Sequence, residues 1–181
     1  MRVSSGHDDN KGVPRGAPRS GKRTVISTWL AANNLFLFLC TSMYLGTGWS
    51  LVLFSFPIAA KLTPDTYYNQ FVPQVQAATK FFTVMTTLML AAGVVMLVAE
   101  PDPVYRWYPI IVLAGVVVAT ALTIIFILPD NKRMEEGIKD NAELHVLLDR
   151  WMGRNRIRVG LWTVEWLAMA LWFGGKIVRA T

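Results

Sequence analysis

The sequence predicts an all-α integral membrane protein, a four-helix bundle with a charged, amphipathic helical arm between its third and fourth spans. Three observations carry this. Of the 181 residues, 53% are hydrophobic and 17% charged, with seven tryptophans, a balance too apolar for an ordinary soluble domain. The apolar residues gather into four blocks, each within the range of about 17–25 residues that a helix needs to cross a hydrocarbon layer, or longer. The 18 basic side chains, for a formal charge of +6, cluster between those blocks and form no stripe interleaved with exposed aromatics. Nucleic acid is therefore not an expected partner, and the lipid bilayer is.

Residues 1–24 are rich in Gly, Ser, Pro, Lys and Arg and hold too few large apolar side chains to order themselves, so a disordered basic tail is expected there. Residues 25–181 make up the transmembrane domain. Its first span, about 29–56, is much longer than the roughly 7–15-residue core of a signal peptide and should be retained as an anchor ending at Pro57. Residues 59–80 carry Tyr67, Tyr68, Phe71 and Val72 among polar neighbours, which suggests a short helix or lid at the membrane interface. The second span, about 81–99, is closed by Glu100-Pro101-Asp102-Pro103, and the tight loop that follows makes it an antiparallel neighbour of the third, about 108–128, which ends at Pro129.

The third loop, 129–158, is the longest and most charged. Its Leu144, Leu147, Leu148 and Trp151 recur at i, i+3, i+4 and i+7, the pattern of an amphipathic helix that extends the third and fourth spans as a hairpin. The fourth span, about 159–175, is bracketed by Arg158 and Lys176. Trp29, Trp107, Tyr108 and Trp172 sit near span ends, where amphipathic rings meet the headgroups. Helices are required throughout, because backbone amides in lipid must be paired within their own segment.

Cytoplasmic loops carry the excess of Lys and Arg. Here the two sides tie at nine each, with six of one set in the N-terminal tail and seven of the other in the third loop. The third loop's bases are interleaved with six acids and the tail's are less compensated, so both termini are expected in the cytoplasm, with the plasma membrane as the location.

Few residues can carry chemistry. Cys40 is the single cysteine, so neither an intrachain disulfide nor a Cys-based metal site is expected. Glu165 is the one acidic residue inside a span. A carboxylate at that depth must face the bundle, carry a proton or meet a cation; it marks either a functional site or a polar clasp between helices. Arg158, seven residues earlier on the same face, is a candidate partner. Asn33 and Asn34 read as interhelical glue, and Gly115 with Ala119 as a small-residue face permitting close approach. Met85, Met89 and Met96 read as core or lipid-facing filler. His145 is the sole histidine outside the tail, suited to a general base or simply to a solvated face; without companions it makes neither a metal site nor a haem site, and no cofactor is expected. Trp151, Asn155, Arg158 and Trp162 recur every three or four positions on one face that could grip a flat, oxygenated aromatic.

Leu128-Pro129-Asp130-Asn131, a polar arm, and then Trp151-x-x-x-Asn155-x-x-Arg158 together resemble a family of small four-span membrane proteins named after fungal anthrone oxygenases. The resemblance covers about 33–178, with Asn155 where a histidine would equally be expected. It implies oxygenation of an anthrone or similar polyketide-like aromatic without metal or flavin. In that reading His145 or Glu165 is the base, and Arg158, Asn155 and Asn131 are oxyanion donors. The competing classes are a non-enzymatic accessory, assembly or scaffold subunit whose arm docks a membrane protein partner, and a small transporter with Glu165 as its proton site.

Overall fold

The computed structural model describes residues 20–180, with side chains for 28–179; residues 1–19 of the expected tail lie outside the described residues. Among the described residues the chain is helical, with no strand. Helix α1 (Ser20–Ser50) runs through a π-helical turn (Leu51–Ser55) into α2 (Phe56–Ala59), and α3 (Tyr67–Ala99) follows. Helix α4 (Trp107–Leu122) runs through a second π-helical turn (Thr123–Ile127) into α5 (Leu128–Glu135), and α6 (Asn141–Ala180) closes the chain.

Three stretches, Thr28–Ala59, Tyr67–Ala99 and Trp107–Glu135, are long and apolar enough to cross a membrane, as in an integral membrane protein. At 29 to 33 residues each, they span roughly 43–50 Å against a hydrocarbon layer of about 30 Å. Helix α6, at 40 residues, is longer still but is not among them. Over residues 159–175 its hydropathy is diluted by Glu165, Thr163, three glycines and three tryptophans.

Two local expectations are corrected. The first and third apolar helices do not end at Pro57 and Pro129 but continue past them, each preceded by a π-helical turn. Proline removes one amide donor, and its ring crowds the carbonyl four residues back, here that of Leu53 or Ile125. Both of those residues lie inside the widened turns, which keep the helix running. Residues 59–80 are not a separate lid either. From Tyr67 onward they are the opening turns of α3, with Pro73 accommodated within the helix.

Packing follows the apolar faces. Helix α6 lies against α4 and α1, and α3 lies against α1 and α4. Leu37, Tyr44, Met85, Met89, Met96, Val112, Trp162 and Met169 are buried together, so the methionine stripe is core. Polar stitches cross between helices: Asn33 Nδ2 donates to the Ala92 carbonyl at 3.0 Å, and Trp166 Nε1 to Ser42 Oγ at 3.1 Å. The stripe Leu144, Leu147, Leu148 and Trp151 is buried against Phe56, Tyr67, Phe71, Ile127 and Met134, which packs the opening turns of α6 onto α2, α3 and α5.

Both ends are clamped. At the α5–α6 turn, Gly137 supplies the positive φ of 87° that a side chain would resist. There Tyr67 Oη accepts from the Ile138 amide at 2.5 Å and donates to the Met134 carbonyl at 3.1 Å. Nearby, buried Asp130 takes Arg150 at 2.7 Å and also pairs with Arg154. At the far end the Glu100 carboxylate, 4% exposed, accepts from Lys176 Nζ at 2.7 Å and Trp172 Nε1 at 2.9 Å, tying the α3–α4 loop to the end of α6.

Burial pushes the Glu100 carboxyl up, but the hydrogen bonds from Lys176, Trp172 and the Asp102 amide outweigh it and hold the group below the ordinary glutamate range. A carboxyl depressed in the folded state contributes stability that is complete above the unfolded pKa, about 4.3, and lost as pH falls through the lower folded value. Glu100→Gln should therefore lower the thermal midpoint in detergent at neutral pH, and the difference from the wild type should shrink as the buffer is taken below about pH 4. A difference that stays constant across that range would rule out the clamp as drawn.

Candidate functional site

One face of α6 carries Trp151, Asn155, Arg158, Trp162 and Glu165, spaced four, three, four and three residues apart, so a straight helix stacks them in a single row. The row divides into two parts with different surroundings.

The first part is internally satisfied. Trp151 Nε1 donates to Asn131 Oδ1 at 2.9 Å, with the Trp151 ring edge-on to Phe71 at 4.8 Å between centroids. Asn155, 2% exposed, gives its amide to the Trp151 carbonyl at 2.9 Å, and its Oδ1 accepts from Arg158 Nη1 at 2.9 Å. Asn131, Trp151 and Asn155 thus bond to one another and to the α6 backbone. Asn155 aims the guanidinium.

The second part surrounds a small cavity. Arg158 lies over the Trp162 ring at 4.6 Å from the centroid, and Trp162 packs on Tyr44 at 4.8 Å between centroids. Tyr44 Oη sits 2.5 Å from Thr86 Oγ1, which brings α1 and α3 to the same place. Helix α4 supplies Val116, Ala119 and Thr120, and Thr123 follows on the π-helical turn. Glu165, 1% exposed, also lines the cavity, whose volume is about 30 Å³.

Glu165 and Arg158 both line this cavity, but no ion pair joins them, contrary to the direct pairing that their shared face suggests. Seven residues of α-helix separate them by about 10 Å along the axis, and the Arg158 fork is turned toward Asn155. Both Glu165 oxygens and Arg158 Nε are buried without a hydrogen-bond partner among the described residues. Space for the carboxylate comes from Gly115 on α4: a Cβ there would lie 2.6 Å from both Cγ and Oε1 of Glu165. The small-residue pattern in the third span is therefore the berth of the buried acid.

His145 is elsewhere. It is half-buried in the second turn of α6, thirteen residues before Arg158, roughly 20 Å away along the axis. Tyr44, Thr86, Thr120 and Thr123 are the cavity residues that sequence reasoning missed. Their one sequence signal was a hydroxyl inside an apolar block, shared with threonines that only bond their own helix. Among the described residues no three His, Cys, Asp or Glu side chains come together as a metal site would require. No protein-family model, curated protein or solved structure matches this chain.

Gly115→Ala should destabilise the detergent-solubilised protein by about 1–3 kcal/mol through overpacking against Glu165. The penalty should largely vanish in a Glu165→Ala background. Equal penalties in both backgrounds, read from denaturant unfolding, would show that the two residues do not meet.

Proposed function

We propose that this is a four-span membrane protein, with α6 as the fourth span of a transmembrane bundle and Glu165 and Arg158 forming an acid–base site inside it. The reading rests on the inside-out face of α6: Val164, Leu167 and Leu171 are exposed, whereas Glu165 is buried. A helix in water would turn the carboxylate outward and those side chains inward; lipid reverses the preference.

In such a site the chemistry that fits the resemblance is cofactor-independent oxygenation of a hydrophobic, anthrone-like aromatic. Glu165 removes a proton from the ring methylene, and the electron-rich enolate reduces dioxygen and forms a carbon–oxygen bond to it. Loss of water from the hydroperoxide leaves the quinone carbonyl. One dioxygen is consumed; one of its atoms stays in the quinone and the other leaves as water. Arg158, aimed by Asn155, stabilises the developing oxyanion. A cavity of about 30 Å³ admits water or dioxygen but not a tricyclic ring, so the site must widen to receive the substrate. The plasma membrane, with both termini cytoplasmic, is the proposed setting.

The same small volume favours a second reading, an accessory or scaffold subunit in which the polar face only fixes helix register. A stoichiometric membrane partner co-purifying from native membranes would support that reading.

For the enzyme, purified protein in lipid should accelerate anthrone consumption above the spontaneous rate. Glu165→Gln should remove about 10²–10⁴-fold of that acceleration, the usual contribution of a positioned base. His145→Ala should leave it unchanged, because its ring lies far from the cavity. Wild-type protein no faster than the spontaneous reaction ends the oxygenase reading.

A further inference from the structure

The cavity beside Glu165 has the volume and the polar lining of a water site. Its volume of about 30 Å³ exceeds the roughly 10–15 Å³ that one water needs, which leaves room for about two. Apolar cavities stay dry, whereas waters settle where two to four polar partners converge. Glu165 and Arg158 both line this cavity, and both Glu165 oxygens and Arg158 Nε are buried without a hydrogen-bond partner among the described residues. The Thr120 and Thr123 hydroxyls each donate to a carbonyl of their own helix at 2.7 Å, so each keeps an oxygen lone pair for a further donor.

We infer that this cavity binds about two ordered waters that bridge the Glu165 carboxyl group to the Arg158 guanidinium. Arg158 Nε donates to one water, and the Glu165 oxygens and a threonine hydroxyl take the remaining hydrogen bonds. Every buried polar atom of the row then has a partner, which the helices alone do not provide. A ligand that takes over the site must reproduce both roles, with a donor facing Glu165 and an acceptor facing Arg158. A phenol or enol next to a carbonyl does so; a plain hydrocarbon does not. The inference shares its cavity with the proposed function but does not depend on turnover.

Infrared difference spectroscopy of the full chain in lipid vesicles, recorded across a pH step in ordinary and in heavy-oxygen water, tests it. The wild type should show O–H stretching bands outside the bulk-water envelope that shift with the oxygen isotope. Glu165→Gln and Thr120→Val should each displace or abolish these bands, and His145→Ala should leave them in place. Wild-type spectra without isotope-sensitive bands, or bands indifferent to both cavity variants, overturn the inference. Thr120→Val decides alone if Glu165→Gln does not fold. Bands retained in a protein without anthrone turnover support the water site and sink only the oxygenase reading; turnover without bands does the reverse.

Discussion

The arrangement of the helices turns on a single constraint: the Glu165 carboxyl group, carried on a helix whose neighbouring Val164, Leu167 and Leu171 are exposed, has to be buried against other helices. Leaving a charge or an unpaired carboxyl in apolar surroundings is expensive, and the face of α6 that holds Glu165 meets other protein. Gly115 opens the α4 surface at the one point where that side chain arrives, and Trp162 settles beside Tyr44 one turn away. With that face fixed inward, Val164, Leu167 and Leu171 are left outward. The hydrophobic effect gives no net drive for helices to associate within lipid, so close contact, small residues and polar stitches must hold them together. Asn33 on the Ala92 carbonyl and Trp166 on Ser42 are such stitches.

The ends of the helices are secured by another means. At one end Lys176 and Trp172 of α6 hold Glu100; at the other, Asp130 gathers Arg150 and Arg154, and Tyr67 bridges the turn around Gly137. In the Asp130 and Glu100 pairs the carboxylates are buried while the basic side chains stay 27–50% exposed, so only one charge of each pair bears the full desolvation penalty. Between the two ends, among the described residues, both Glu165 oxygens and Arg158 Nε are the buried polar side-chain atoms without a hydrogen-bond partner, and the cavity lies beside them. The chemical interest of the molecule is therefore concentrated at the place its helices leave polar and incompletely filled.

Much of this could be read from the residues. The amphipathic stripe from Leu144 to Trp151 is buried as its spacing requires, and Glu165 is conspicuous as a lone acid among apolar neighbours. Prolines are the misleading signal. Pro57 and Pro129 look like helix ends because a proline removes a donor and crowds the preceding turn, but a π-helical turn before each keeps the helix running, and nothing in the local sequence announces that it will form. Tyr67, Phe71 and Val72 look interfacial because polar residues surround them; they are buried against α5, α6 and the turn between them, which Tyr67 closes, while Tyr68 stays exposed. The cavity is legible from one side only. Arg158, Trp162 and Glu165 stand on one helix and declare a common face, whereas Tyr44, Thr86 and Thr123 arrive from three other segments and join only through tertiary packing.

Whether α6 crosses the membrane decides between a four-span bundle and a three-span protein, and sidedness of labelling measures it directly. In a Cys40→Ala background, single cysteines at Thr63, Val104, Lys139 and Ala180 would be reacted with a membrane-impermeant maleimide in oriented vesicles. Four crossings place Val104 and Ala180 on one side and Thr63 and Lys139 on the other. Ala180 labelling together with Lys139 would leave α6 outside the bilayer and contradict the four-span bundle.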